Sequence, residues 1–287
     1  MPLWPPARRA YTSESKTHEQ VKMRMKRQII DKIQVNIPFT MLYDSYLDLF
    51  IEQKLNPEIG IDAVALKRFS LSDFSNIAEL FHKHSRTITL HAPFDDMSPG
   101  SQDPAVRGVT RKRFEQMLQL VPLFRPKTVV CHASYDRKRY SYYRDLWIEN
   151  SLEMFSWLGA CVSDEGGQLM LENVYEHSPD DIRILFERLE AYNVGFCLDT
   201  GHQAAFSRTS LAEWMDALEP YLEQLHLHDN FCEDDDHIGL GQGKIDFVTF
   251  FEHIKTIKKE PPIITLEPHK EEYFQPSVEY LEKVWPW

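Results

Sequence analysis

Residues 194–199 read VGFCLD: five residues that suit a buried strand, then a carboxylate, Asp199. The pattern recurs along the chain. Residues 87–91 (TITLH) stop at His91, 128–132 (TVVCH) at His132, 168–172 (QLMLE) at Glu172, 224–226 (QLH) at His226 and 263–267 (IITLE) at Glu267. A short run that stays apolar is what a strand covered on both faces of a parallel sheet requires. Six such runs closing on histidine or carboxylate point to one shared polar site at the C-terminal ends of parallel strands.

Two further runs, 32–39 and 58–64, complete eight strand-like segments: 32–39, 58–64, 87–91, 128–132, 168–172, 194–199, 224–228 and 263–267. Helix-like stretches lie between them. Asp103 followed by Pro104, Ser178 followed by Pro179, and a capping box from Ser210 to Glu213 are helix starts. Residues 211–222 and 247–257 carry apolar residues at three- and four-residue spacing, which suits helices lying on a sheet. Eight uninterrupted βα units predict a single closed (β/α)8 barrel over residues 28–287, and no glycine-rich dinucleotide fingerprint follows the first strand. Residues 1–27 are basic, lack the apolar stretch of a secretory signal, and read as a short flexible N-terminal extension.

The 287 residues carry 44 acidic and 32 basic side chains, a net charge of −12 that disfavours a polyanionic partner such as nucleic acid. No segment reaches the roughly 18 consecutive apolar residues of a membrane span, so none is expected to cross a membrane. Cys131, Cys161, Cys197 and Cys232 lie far apart, with no CxxC spacing, which fits a reduced cytoplasmic setting.

Strand alternation places Glu172, Asp199, His226 and Glu267 on inward faces. Two Glu, one Asp and one His suit a divalent cation that accepts both oxygen and nitrogen: Mn²⁺, Zn²⁺, Co²⁺ or Mg²⁺. His91 and His132 end the neighbouring strands, where a bridging Glu172 would join them in a second site. His202, three residues beyond Asp199, with Asp235 and His237, forms a candidate third site. One ion is the base expectation and three the upper bound. His228 lies on the face of His226, where it reaches substrate or supports a ligand. Gly239, Gly241 and Gly243 precede a helix expected near Ile245 and offer backbone N–H groups to a phosphate or sugar oxygen, with Lys244 adding charge. Residues 135–144 (YDRKRYSYYR) mix arginine with tyrosine as a lid or an anion contact would. His177 and His269 follow strand ends and are left unassigned, whereas His18, His82, His84 and His253 carry no expected role.

The segments HAPF, HAS, LEN, DTGH, HLHD, DDHIGLGQG and LEP, in that order, make the chain resemble the xylose isomerase-like TIM barrel superfamily, which includes sugar and sugar-phosphate isomerases and epimerases together with endonuclease IV. In the isomerase and epimerase branch the resemblance implies one metal on Glu172, Asp199, His226 and Glu267, with Glu172 and Glu267 moving a proton at the carbon beside a carbonyl. His91, His132, His202, His228, His237 and Lys244 are then left to meet a small carbohydrate, and a second protomer often completes such pockets. The endonuclease branch implies three zinc ions: on His91, His132 and Glu172; on Glu172, Asp199, His226 and Glu267; and on His202, Asp235 and His237. The chain departs from that branch where an aromatic and aliphatic wedge would enter DNA, because HAPF runs into Asp95 and Asp96. The expected function is therefore a divalent-metal-dependent sugar or sugar-phosphate isomerase or epimerase. The alternatives are a multinuclear zinc phosphoesterase and a metal-dependent sugar-binding barrel without turnover.

Overall fold

A computed structural model describes residues 29–287. The expected N-terminal extension, 1–27, lies outside the described residues. Eight strands, β1 (Gln34–Pro38), β2 (Asn56–Gly60), β3 (Thr89–His91), β4 (Thr128–His132), β5 (Gln168–Glu172), β6 (Val194–Asp199), β7 (Leu222–Leu227) and β8 (Ile263–Leu266), close into one barrel in sequence order. Every neighbouring pair is parallel, including β1 with β8. The chain is thus a (β/α)8 barrel, as its alternation predicts.

Strands β4, β5 and β6 fall where the sequence places them; β2 does not. It starts at Asn56 and ends at Gly60, because Asp62 already caps the helix Ala63–Arg68 by accepting from the Ala65 N–H at 2.6 Å. An Asn-Pro pair ordinarily opens a turn. Here Asn56 Nδ2 donates to Asp31 O (3.2 Å) and Ile33 O (3.1 Å), and its Oδ1 accepts from Thr87 N (3.1 Å). One amide thereby ties the lower ends of β1, β2 and β3 together.

The helix expected over 211–222 stops at Leu218, where Glu219–Tyr221 tightens into a 3₁₀ turn around Pro220 and lets β7 begin at Leu222. Its capping box is present: Glu213 N donates to Ser210 Oγ while Ser210 N donates to Glu213 Oε2. Asp103 caps Pro104–Leu118, and Phe247–Ile257 is helical as expected. Ser178–Pro179 opens only a 3₁₀ turn, Pro179–Asp181, ahead of the helix Arg183–Leu189.

Alternation sorts the strand residues into two environments. Leu169, Leu171, Phe196, Leu198, Leu225 and Leu227 join the large core between sheet and helices. Val130, Met170 and Cys197 make a small apolar cluster apart from it. Glu58, Thr89, Thr128, Gln224 and Thr265, from β2, β3, β4, β7 and β8, are buried and hydrogen-bonded to one another. Burying these groups is tolerable because each finds a partner. This polar layer is linked directly to the site, since Gln224 Nε2 and Glu58 Oε1 both approach the ring of His226.

Candidate metal centre

Glu172, at the end of β5, is the hub. Its Oε2 lies 3.1 Å from His91 Nε2 and 3.5 Å from His132 Nε2; its Oε1 lies 3.1 Å from His202 Nδ1 and 3.4 Å from His226 Nδ1. Four imidazoles, from β3, β4, β7 and the helix Thr200–Phe206 that follows β6, thus meet one carboxylate. Asp199 Oδ1 accepts from His202 N (2.6 Å) and lies 3.1 Å from His228 Nε2. Asp235 completes the upper edge, with Oδ2 3.1 Å from His237 Nε2 and 3.4 Å from His202 Nε2.

Several backbone features aim these rings. Nδ1 of His91 meets Ala92 O at 2.9 Å and Nδ1 of His202 meets Asn173 O at 3.0 Å, contacts of the kind that fix a ligand ring's tautomer and direct its other nitrogen. Asn173, the last residue of LEN, also donates to Asp199 O (3.0 Å) and accepts from Asp199 N (2.9 Å), locking the end of β6 to β5. A side chain at Gly201 would drive its Cβ into Cε1 of His228, so the glycine of DTGH is the space that ring occupies. His237 is held at φ 47°, a left-handed conformation costly outside glycine, which the surrounding contacts must maintain.

The donor set fits divalent metal. Ligand atoms of His202, His228, Asp235 and His237 lie within 4.8 Å of one another, as do those of His91, Glu172 and His226, of Glu172, Asp199 and His202, and of Asp199, His228 and Glu267. Asp199 Oδ2 and His226 Nδ1 are buried with no hydrogen-bond partner, although His226 Nδ1 is only 3.0 Å from Glu267 Oε1. Buried orphan acceptors of this kind call for an occupant. Burial works against charge on Glu172, yet His226, His132 and His202 hold its carboxyl well below the usual carboxylate range. Burial drives the His132 ring down to about 3, leaving a neutral imidazole, the form that binds metal.

The sequence of the barrel decides its relationship. Residues 56–284 match the profile of the xylose isomerase-like TIM barrel family. The chain belongs to that family. Among curated proteins, the uncharacterized protein MJ1311 of Methanocaldococcus jannaschii is 27% identical over 190 residues, covering 63% of this chain and 64% of its own, so the match spans under two thirds of that relative. MJ1614 of the same organism is 26% identical over 74% of this chain and 81% of its own. Two solved structures share the fold over 88% of this chain: the TTHB071 protein of Thermus thermophilus soaked with ZnCl2 (TM-score 0.76, 23% identity, 98% of that chain) and a D-tagatose 3-epimerase-like protein (0.75, 23%, 96%). A third, D-psicose 3-epimerase with D-tagatose from Clostridium cellulolyticum H10, aligns with TM-score 0.66 at 18% identity over 88% of this chain and 90% of that one.

In this xylose isomerase-like barrel the candidate ligands fall partly as the sequence groups them. His202, Asp235 and His237 come together, and His228 joins them, with Nε2 3.6 Å from Asp235 Oδ1. His91 and Glu172 cluster with His226, whereas half-buried His132 stands at the outer side of the Glu172 carboxylate. The unassigned His269 stacks on His237 (centroids 3.6 Å, 4° between planes), which stacks on His228 (3.5 Å, 5°). His82 and His253 lie away from the site, against Leu123 O and Asp216 respectively, and His18 lies outside the described residues. Glu58 is the residue that strand-end reasoning overlooked, since it sits inside β2 and not at its end. A carboxylate within an otherwise buried run was the signal.

The glycine loop departs from expectation. The N–H groups of Gly241 (3.0 Å), Gly243 (2.9 Å) and Ile245 (3.2 Å) donate to the buried carboxylate of Asp229, which also accepts from Asn230 N (2.9 Å). The anion these amides cradle is thus one the chain supplies itself. Lys244 is exposed, its Nζ 3.7 Å from Glu233 Oε1. The arginine and tyrosine stretch folds into a short helix, Arg137–Tyr140, and a 3₁₀ turn, Ser141–Tyr143, with Arg137 paired to Asp181 (3.2 Å) and Arg144 donating to Asp180 O (2.8 Å).

Beneath that stretch the buried carboxyl of Glu176 accepts from Val174 N (2.6 Å) and Tyr135 N (2.9 Å), joining the loops after β4 and β5. Burial pushes it up from the ordinary 4.5 to about 7. Between those values the folded protein keeps a proton that the unfolded chain has lost. Stability is therefore expected to fall as pH rises across that window, by about 3 kcal/mol in all, and to level off above it. Glu176→Gln, neutral throughout, is expected to flatten this slope in denaturant titrations at about pH 5 and pH 7.5; a slope equal to wild type would refute the assignment.

Proposed function

We propose that the protein is a divalent-metal-dependent isomerase or epimerase acting on a small sugar or sugar phosphate, with Glu172 and Glu267 as its proton-transfer pair. The observation that carries this reading is the placement of both carboxylates against one imidazole edge, with Glu172 Oε1 3.4 Å and Glu267 Oε1 3.0 Å from His226 Nδ1. A metal held by Glu172, Asp199, His226 and Glu267 would supply polarisation of a carbonyl and an adjacent hydroxyl, which lowers the cost of taking a proton from the carbon between them. One glutamate takes that proton and the other, entering the cycle protonated, delivers its own to the opposite face for epimerisation or to the neighbouring carbon for isomerisation, the pair resetting by exchange with solvent. His202 and His237, which cluster with Asp235, are the side chains that would orient substrate hydroxyls.

The mouth of the site supports a carbohydrate over a polyanion. Phe94, half exposed, stacks on His132 (4.8 Å, 30°), and on the other side Phe206 lies 6.2 Å from His202 with Tyr175 packed against it at 5.3 Å. Aromatic faces suit the C–H face of a sugar. Asp95, Asp96, Asp234 and Asp236 on the surrounding loops are exposed and repel phosphodiester chains. The epimerase structures that share this fold support the same chemistry.

The direct test is a panel of ketoses and aldoses, free and phosphorylated, with Mn²⁺, Co²⁺, Mg²⁺ and Zn²⁺, reading epimer formation and solvent deuterium uptake. Glu267→Gln is expected to lower kcat by about 10²–10⁴-fold, the usual worth of a positioned acid or base; full turnover in that variant would sink the mechanism. A second reading, a multinuclear zinc phosphoesterase, draws support from Glu172 sharing each oxygen between two imidazoles, the geometry of a bridging ligand. Two or three zinc ions per chain, together with hydrolysis of small phosphate esters and no sugar turnover, would favour it.

A further inference from the structure

Glu58 lies in the interior of β2, wholly buried, on the side of His226 away from the ligand cluster. Its Oε2 accepts from Gln224 Nε2 (2.7 Å), Thr89 Oγ1 (3.0 Å) and Thr265 Oγ1 (3.0 Å). Its Oε1 lies 2.9 Å from His226 Nε2, with Asn36 Nδ2 at 3.3 Å. Gln224 cannot turn to change this pattern, because its own Oε1 is taken by Thr128 Oγ1 at 2.7 Å. With one oxygen committed to three donors, Glu58 is an acceptor, and its 2.9 Å contact at Oε1 places the proton on His226 Nε2 in preference to the longer approach of Gln224 Nε2 (3.3 Å), which already donates to Glu58 Oε2. In the neutral ring His226 Nδ1 is then bare, buried, without a hydrogen-bond partner, and aimed between Glu172 and Glu267.

We propose that Glu58 is a positioning residue for His226: it holds the ring proton on Nε2 so that Nδ1 presents its lone pair to the metal. Glu58, His226 and Glu267 are close enough to be mistaken for a metal triad. The ring divides them, however, because Glu58 meets Nε2 whereas Glu267 meets Nδ1. The polar layer across the barrel is thereby the device that selects the tautomer, and a carboxylate partner also raises the basicity of the ligand nitrogen. Gln224 keeps the arrangement rigid, its Nε2 bridging Glu58 to Thr265 Oγ1 (3.4 Å) on β8.

This inference rests on the metal reading of the site for its purpose, and its first test does not. In ¹⁵N-histidine spectra of metal-free wild-type protein, with His226 assigned by loss of its signals in His226→Gln, the Nε2–H tautomer is expected; an Nδ1–H tautomer overturns the proposal. Glu58→Gln is then expected to bind Zn²⁺, measured by chelator competition, about 10–100-fold more weakly than wild type. Thr89→Val removes a hydrogen bond from the same layer without touching His226, and is expected to lower the melting temperature while keeping zinc affinity within about threefold. Wild-type affinity in Glu58→Gln, or an equal loss in Thr89→Val, would show that the layer is only structural. If the wild type binds no zinc yet shows Nε2–H, the metal reading falls and the positioning of His226 stands.

Discussion

Glu172→Gln is expected to bind its metal about 10²–10³-fold more weakly than wild type, with turnover falling at least as far. The carboxylate stands between His91, His132, His202 and His226, and removing one partner from a buried charged cluster costs about 3–5 kcal/mol. Glutamine preserves the shape but turns one ligand oxygen into an N–H₂ donor facing ring nitrogens. Metal analysis after gel filtration, on wild type and variant purified without chelator, reads the result. A variant that keeps a full wild-type complement would remove Glu172 from the ligand set. A loss confined to one ion of one would support the single-metal isomerase, and a loss of two from three the multinuclear alternative.

Asp229→Ala should loosen the glycine loop and destabilise the fold. The side chain accepts four backbone N–H groups, from wholly buried Asn230, half-buried Gly243 and Ile245, and exposed Gly241, which can turn to water. At about 1–3 kcal/mol for a buried donor left unsatisfied, and less for those that reach water, a loss of about 3 kcal/mol is expected. For a protein of this size that is a fall in melting temperature of roughly 5 °C. The loop is also tied to the site, because Asp229 N donates to Ile238 O (3.1 Å) and Ile238 N returns a bond to Asp229 O (2.9 Å), beside the Asp235–His237 ligand segment. Metal affinity should therefore fall with stability. A melting temperature within about 2 °C of wild type would mean the loop finds other acceptors.

The sequence made most of the barrel legible because β4, β5 and β6 are bounded by abrupt changes of residue type: apolar runs that stop at a ligand. β2 was obscured because its first residues, Asn56 and Pro57, carry a turn signature, and only the tertiary bonds of the Asn56 amide keep them extended. The residues around Glu172 were legible as strand ends, yet their grouping was not. Whether His228 turns toward Asp235 depends on the space left by Gly201, a distance across two loops that no local pattern encodes. The glycine loop misled for a similar reason: its amides are spaced for an anion, and the anion is Asp229, 12 and 14 residues upstream of the two glycines it meets. Glu58 was hidden because its partners come from β1, β3, β7 and β8, which converge only when the barrel closes.

Cation supply should set how the barrel breathes. Candidate donors hang from the ends of β3 to β8, while β1 and β2 carry none at their tips. An ion held there stabilises the folded state by RT ln(1 + [L]/Kd), and it penalises any partial opening that pulls one of those six strand ends from the rest. Backbone amides of β3 to β8 would then exchange with solvent only through complete unfolding in the loaded protein, and through cheaper, local openings after chelation. The first two strands, closed by the Asn56 amide at their lower ends, would exchange alike in both conditions, an internal clock against which occupancy in the other six is read.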